Sequence, residues 1–379
     1  MKILFFANTD WYLYNFRLPL ARYLRECGHE VVMLSPPGSY VVELQAAGFQ
    51  ALTVPMERRS LNPVRELHLL DQIRRIYAQQ RPDLVHHFTL KCVVYGALVA
   101  RSLGIRGQIN AVTGLGHVFT SDSLRARLLR PPVRKLLRLA LSGGNTLLIL
   151  QNPDDQAIFE QARVIDKGRI RLIRGSGVDT ARFQPIARPE RSDLLRVVLA
   201  SRLLWEKGLG EYVTAARRLR DEGVAAEFLI AGDMDAGNPS SVSAQQLAEW
   251  RQEGSVTLMG HVKDMPSLLA RADIAVLPSY GEGVPRSLVE AAACGLPLVA
   301  TDVPGCREIV EHEVNGLLVP VKNAAALAIA IRRLCCEPLT RERMGQAGRS
   351  KVLREFDSRI VFQKTLAVYD ELNLFRPEF

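Results

Sequence analysis

Short apolar runs bounded by glycine, proline and polar residues recur along the chain, with stretches of helical composition between most of them. In the first half they are Lys2 to Ala7, Glu30 to Ser35, Ala51 to Val54, Asp83 to His86, Gln108 to Thr113, Thr146 to Gln151 and Ile170 to Ile173. Parallel strands covered on both faces read as continuous apolar runs, so these predict a buried parallel sheet and α/β architecture. The pattern restarts at Arg196 to Ala200 and continues through Glu227 to Ala231, Val256 to Met259 and Ile274 to Leu277. A second sheet of the same kind is expected there, followed by helical segments from Ala324 onward.

Length agrees with two units: 379 residues exceed what one hydrophobic core usually holds. The stretch Ile186 to Asp193, rich in proline and charge, reads as the linker. A hydrophobic content of 47% with 23% charged residues describes an ordinary soluble chain. The first residues start a strand at once and reach polar Asn8-Thr9-Asp10, too early for a signal peptide, and no apolar run approaches the roughly 20 residues of a membrane span. Six cysteines without C-x-x-C spacing suggest neither a zinc site nor a disulfide framework, and a reducing cytoplasm fits. The net charge of +9 is uneven, because residues 1–185 hold 25 Lys+Arg against 14 Asp+Glu. An anionic surface or substrate is therefore expected on the N-terminal side.

Chemistry concentrates after the run Ile274 to Leu277, in Pro278-Ser279-Tyr280-Gly281-Glu282-Gly283-Val284-Pro285-Arg286-Ser287-Leu288-Val289-Glu290. Strand, tight loop and helix N-terminus in this order aim free N–H groups and a positive dipole end at one spot, as a phosphate requires. Pro285 suits the first helical position, and Gly281 and Gly283 let the backbone approach a ligand. Glu282 and Glu290 stand eight positions apart, roughly 12 Å along a helix, too far for a retaining glycosidase pair at about 5 Å. They read as two separate holds on a long ligand. Ser201-Arg202-Leu203-Leu204-Trp205-Glu206-Lys207-Gly208 again passes from strand through loop to helix. Two cations at a helix N-terminus are unfavourable unless an anion sits between them, and a diphosphate resolves the conflict.

Other segments narrow the choice. The first strand is followed by Asn8 to Arg17 without a glycine, which argues against a nicotinamide or flavin oxidoreductase. His86 and His87 point to opposite faces of a strand, so at most one serves a given site, and a satisfied structural histidine is expected. Thr113-Gly114-Leu115-Gly116-His117 carries two glycines that permit close approach of a substrate. Between Ser123 and Leu141, leucines alternate with Arg127, Arg130, Arg134, Lys135 and Arg138, and Pro131-Pro132 is expected to divide the segment into two short helices. Basic amphipathic helices of this kind lie in a membrane interface, leucines down and cations toward anionic head groups; an ordinary core helix with a basic outer face is the alternative.

The E-x7-E spacing of Glu282 and Glu290 resembles that of retaining glycosyltransferases with the GT-B fold, and Ser279 to Pro285 resembles the family 4 version. The likeness continues through Thr301-Asp302-Val303-Pro304-Gly305-Cys306-Arg307-Glu308 and Asn315-Gly316-Leu317-Leu318-Val319-Pro320, and it covers essentially the whole chain. It implies two doubly wound Rossmann-like domains facing a cleft: residues 1–185 binding the acceptor, residues 186–357 binding a nucleotide sugar, and residues 358–379 a helix returning to the first domain. Arg202 and Lys207 would hold the donor diphosphate in place of magnesium, with N–H groups of Gly283, Val284, Ser287 and Leu288. Glu290 would take the ribose hydroxyls, the loop around Val262 the base, and Glu282 the sugar, with His117 as a second catalytic contact.

Asn8, Thr9, Asn15, Lys91 and Gly116 would lie on the acceptor side, although a plain loop and helix cap also explains the first three, and Cys92 stands where proline is more usual. Asp233-Met234-Asp235 spells a metal motif but falls where the family has a plain turn, so no metal or other cofactor is expected. The likeness is to bacterial enzymes adding N-acetylhexosamines, N-acetylgalactosamine among them, from a UDP-sugar to undecaprenyl-diphosphate-linked saccharides at the inner face of the cytoplasmic membrane, without nucleic acid as a partner. A UDP-sugar 2-epimerase of the same fold and a non-catalytic anionic-lipid-binding module remain alternatives.

Overall fold

The computed structural model describes residues 1–57, 60, 62–112, 124–186, 194–235 and 237–372. Two compact units divide the chain: Met1–Ser176 with Val361–Phe379, and Gly177–Ile360. Among the described residues the first holds a parallel sheet of β1 (Lys2–Phe6), β2 (Glu30–Ser35), β3 (Gln50–Thr53), β4 (Leu84–Phe88), β5 (Gly107–Val112), β6 (Thr146–Leu150) and β7 (Ile170–Leu172), in the order β3-β2-β1-β4-β5-β6-β7. The second holds β8 (Leu195–Ala200), β9 (Ala226–Ala231), β10 (Thr257–Gly260), β11 (Ile274–Leu277), β12 (Leu298–Thr301) and β13 (Gly316–Val319), in the order β10-β9-β8-β11-β12-β13. Both are Rossmann-like, and strand order reverses between β1 and β4 and between β8 and β11. Ligands of such sheets bind beyond the carboxyl ends of the strands at these switch points.

The apolar runs are explained by helices on both faces of each sheet. Ile3 and Phe5 enter one core while Leu4 and Phe6 enter another, and Val197 and Leu199 are separated from Val198 in the same way. The C-terminal helix Ser358–Asp370 contributes Val361, Phe362, Val368 and Tyr369 to the core that contains Ile3 and Phe5.

Two expectations are corrected. The boundary falls at Ser176/Gly177 and not at residue 185, because Gly177 to Pro185 is tied into the second unit. Val178 and Ser358 exchange contacts there, with Val178 N–H on the Phe356 carbonyl and Ser358 N–H on that of Val178, both 2.9 Å. Arg349 donates to the carbonyls of Phe183 and Ala293 at 2.7 Å and of Thr180 at 3.0 Å. Pro131 and Pro132 also fail to divide their segment, which forms one helix, Leu124–Ala140. An internal proline costs about 3 kcal/mol. Burial of Leu137 and Ala140, packing of Val133 and a 3.1 Å bond from Arg101 to the Leu139 carbonyl hold the helix together across them.

The two histidines of β4 behave as structural groups on opposite faces. His87 donates from Nδ1 to Asn110 Oδ1 at 2.7 Å and accepts at Nε2 from the Tyr77 hydroxyl at 3.0 Å, a neutral tautomer. Burial pulls its pKa from 6.5 down to about 4. The unfolded chain therefore takes up a proton near pH 6.5 that the folded one refuses until about pH 4, so this stability is present above pH 6.5 and lost as pH falls through that window. Chemical denaturation of wild type and His87→Gln from pH 7 to 4 is expected to show a slope shallower in the variant by up to about 1.4 kcal/mol per pH unit. Identical slopes refute the assignment.

Candidate active site

The switch point of the second sheet brings together the loops after β8 and β11. Lys207 ends the short turn Trp205–Lys207, and its Nζ lies 2.6 Å from Glu282 Oε1. Both side chains are largely buried, 17% and 12% exposed, so the pair is shielded enough to be stronger than a surface ion pair. Backbone contacts set this geometry. Tyr280 N–H donates to the Glu206 carbonyl at 2.8 Å, Ser279 Oγ donates to the same carbonyl at 3.1 Å, and Thr301 Oγ1 donates to the Ser279 carbonyl.

Two glycines let the loops close up. A Cβ on Gly208, where φ is +73°, would lie 2.1 Å from the Pro278 carbonyl oxygen. One on Gly305, in the helix Pro304–Ile309, would lie 1.7 Å from that of Gly283.

The helix after the loop starts at Arg286 and runs to Ala293, with Pro285 as its N-cap and not its first residue. No side chain caps it. Leu288 was expected to offer its amide to a phosphate, but a tight first turn points that N–H at the Pro285 carbonyl, 3.1 Å away. The Ser287 amide makes no hydrogen bond with a described residue. Glu290 is held by Arg286 one turn earlier, Nε to Oε1 at 2.8 Å. Burial raises the Glu290 pKa, and the Arg286 charge opposes part of that rise. Val262, half-buried between β10 and the helix Met265–Ala270, engages no described residue through either backbone group.

Arg202 meets a partner that sequence reasoning passed over. Its Nη1 lies 2.5 Å from Asp235 Oδ2, and Asp235 also accepts from Asn238 Nδ2 at 3.1 Å. The signal was present in Asp233-Met234-Asp235, where the second carboxylate serves as an arginine anchor. Arg202 is 47% exposed, so the anchor is worth about 0.2–1 kcal/mol. Asp235→Ala is expected to weaken UDP binding about two- to fivefold in titration calorimetry, with an unchanged Kd counting against the anchoring role.

In the first unit the expected acceptor-side residues are divided. Thr9 caps the turn Asp10–Tyr12 by accepting from the Tyr12 amide at 3.1 Å, and Asn15 donates to the Trp11 carbonyl at 2.9 Å. Asn8 is half-buried beside them. Lys91 is committed to structure: its Nζ bonds the Glu57 carbonyl at 2.7 Å and Glu66 at 2.9 Å, tying the segment after β3 to the helix Leu90–Ser102. Asp10, unassigned from sequence, is buried and accepts from the Trp11 and Tyr40 amides at 2.8 and 2.7 Å. Gly116 and His117 lie outside the described residues.

On the helix Leu124–Ala140, Arg127, Arg134, Lys135 and Arg138 are exposed and Arg130 half-buried. Arg138 departs from a head-group role, since it donates to the carbonyls of Ala162 and Arg163 at 2.9 Å and so closes the end of the helix Pro153–Gln161.

Comparison with known proteins bears on the family and the fold. Residues 195–337 match the model described as glycosyl transferases group 1, and residues 2–152 the one described as glycosyl transferase 4-like. The N,N'-diacetylbacillosaminyl-diphospho-undecaprenol alpha-1,3-N-acetylgalactosaminyltransferase of Campylobacter jejuni is 28% identical over 98% of this chain and 99% of its own. An Escherichia coli UDP-Gal:alpha-D-GlcNAc-diphosphoundecaprenol alpha-1,3-galactosyltransferase is 24% identical over 81% of this chain and 80% of its own. The crystal structure of Anabaena HepE in complex with UDP superposes with a TM-score of 0.77 at 20% identity, covering 98% of this chain and 100% of that one. With both sheets and both family matches in place, the chain belongs to the group 1, family 4-like glycosyltransferases of the GT-B fold.

Proposed function

We propose that the protein transfers a sugar from a UDP-sugar to a saccharide carried on a polyprenyl diphosphate, in surface-glycan assembly, with retention of anomeric configuration and without a metal ion. N-acetylgalactosamine or another N-acetylhexosamine is the first donor sugar to test. The observation that carries the reading is the buried Lys207–Glu282 pair at the β8/β11 switch point, beside a helix N-terminus without a side-chain cap. As the bond from the sugar C1 to the diphosphate breaks, charge gathers on the leaving UDP. Lys207, Arg202 and the Ser287 amide stabilise it there, an electrostatic contribution worth most in a shielded site. Glu282 orients the sugar, and His117 is assigned to it as a second contact. The names of the Campylobacter and E. coli relatives support the acceptor class, and UDP in the HepE complex supports the base.

The test is incubation with labelled UDP-GalNAc, UDP-GlcNAc, UDP-Gal or UDP-Glc and a short polyprenyl-diphosphate saccharide, with EDTA, reading product anomer by NMR. Transfer of one sugar to an α-linked product is expected. An epimer formed without acceptor, or transfer that stops in EDTA, overturns the reading in those respects.

Association with the inner face of the cytoplasmic membrane belongs to the same proposal. Leu137 and Ala140 face the core, whereas Leu128, Leu136 and Leu139 are exposed, with Pro132 between them on one stripe and Lys135, Arg134 and Arg127 along its flank. Each basic residue near an anionic surface contributes about 1 kcal/mol. Arg134→Glu with Lys135→Glu is expected to lower flotation with phosphatidylglycerol vesicles at low salt at least about tenfold, and equal flotation refutes membrane docking through this helix.

A further inference from the structure

The first unit buries an arginine that no carboxylate of a described residue neutralises. Arg17 closes the π-helical turn Leu13–Arg17 after β1, a conformation that recurs at functional sites. It is 7% exposed. Its guanidinium stacks 4.3 Å from the Phe88 ring and 5.2 Å from that of Tyr12, and donates from Nε to the Tyr12 hydroxyl at 3.2 Å and from Nη2 at 2.5 Å. The Nη1 group makes no hydrogen bond with a described residue. Among the described residues Arg17 forms no ion pair. A buried cation normally has a paired anion, and aromatic faces with one hydroxyl replace it only in part.

A second buried group points the same way. Arg17 and His86 line one cavity at the carboxyl edge of β4 to β7, together with Gln151, Gly175 and Thr365. His86 is 1% exposed; its Nδ1 meets the Tyr369 hydroxyl at 2.6 Å, while its Nε2 has no partner among the described residues. The cavity, about 10 Å³, has room for a single water and not for a phosphoryl group, so an anion would meet Arg17 through Nη1 at its rim. This is the switch-point side of the first sheet, where the loop after β1 faces the end of β4.

We infer that Arg17 is an anion-binding residue that takes a phosphoryl group, the diphosphate of the polyprenyl-linked acceptor. The inference rests on the acceptor class proposed above. A planar guanidinium stacked on Phe88 and held along its Nε–Nη2 edge by the Tyr12 hydroxyl presents Nη1 to phosphate oxygens in a fixed orientation. The acceptor saccharide would then be positioned from its lipid-proximal end.

The test measures binding of inorganic pyrophosphate by calorimetry to protein saturated with UDP, so that the donor-site cations are occupied. Wild type is expected to bind, Arg17→Gln to bind at least about tenfold more weakly, and Arg17→Lys to fall between. A farnesyl-diphosphate saccharide is expected to displace the pyrophosphate. In steady-state kinetics Arg17→Gln should raise the acceptor KM at least about tenfold and leave the donor KM within about twofold. Arg17→Lys keeps the charge and carries the test if the glutamine variant does not fold. Absence of pyrophosphate binding in wild type, equal binding in the variants, failure of the farnesyl compound to compete, or parallel changes in both KM values overturns the assignment. Failure of sugar transfer alone would strike the proposed reaction, while the dependence of pyrophosphate binding on Arg17 would still decide this inference.

Discussion

Lys207→Ala is expected to abolish the thermal stabilisation that UDP confers and to lower the transfer rate by about two to three orders of magnitude. The ammonium group is shielded and already held within 2.6 Å of a carboxylate, so it is placed before any ligand arrives. A charge-assisted bond to phosphate contributes about 1.5–3 kcal/mol, which weakens UDP by about 10- to 150-fold when lost. More is lost in the transition state, where the diphosphate carries more charge. The variant also leaves the largely buried Glu282 without its partner, so the ligand-free protein is expected to melt lower. Lys207→Ala with Glu282→Gln separates the two effects: it should recover melting temperature and not the response to UDP. An undiminished UDP shift in Lys207→Ala would remove the diphosphate from this site.

Gly305→Ala is expected to have the second largest effect, through the backbone alone. The added carbon would lie 1.7 Å from the Gly283 oxygen and 2.5 Å from the Glu282 oxygen, and no side chain can rotate away to relieve it. Either the helix Pro304–Ile309 or the loop after β11 must move, and overpacking of this kind typically costs about 1–3 kcal/mol, occasionally more. Urea denaturation followed by tryptophan fluorescence should show that loss, and calorimetry should show weakened UDP binding with Lys207 and Glu282 intact. Gly281→Ala is the control, because a Cβ there meets nothing within 4 Å and stability should change by less than about 0.5 kcal/mol. Equal stability of the two variants would mean that the loops are not held by this contact.

The different fates of the predicted residues have a common cause. That the loops bearing Glu282 and Lys207 meet was legible because each lies just past an apolar run whose strand ends at the carboxyl edge beside a switch point. Asp235 and Gly305 were visible in the sequence without a reason attached. Their roles are set by a guanidinium from a loop 33 positions away and by a carbonyl from the loop between β11 and β12, and neither follows from local spacing. Lys91 erred in the opposite direction: a lysine after a strand suits an anion equally well, but here Glu66 and the Glu57 carbonyl take it.

By itself the sequence determined the architecture. Continuous apolar runs admit only strands covered on both faces, and their alternation with helices admits only parallel sheets, so both sheets and the loops that carry chemistry follow from patterning. Tertiary structure decided what local pattern cannot encode. Two prolines stay inside one helix because Leu137 and Ala140 are buried, and Gly177 to Pro185 joins the second unit because Arg349 and Phe356 hold it there. Arg17, which reads as an ordinary residue at the start of a helix, became a buried cation without a carboxylate among the described residues, because its neighbours Phe88 and His86 come from a strand some seventy positions later that folding places beside β1.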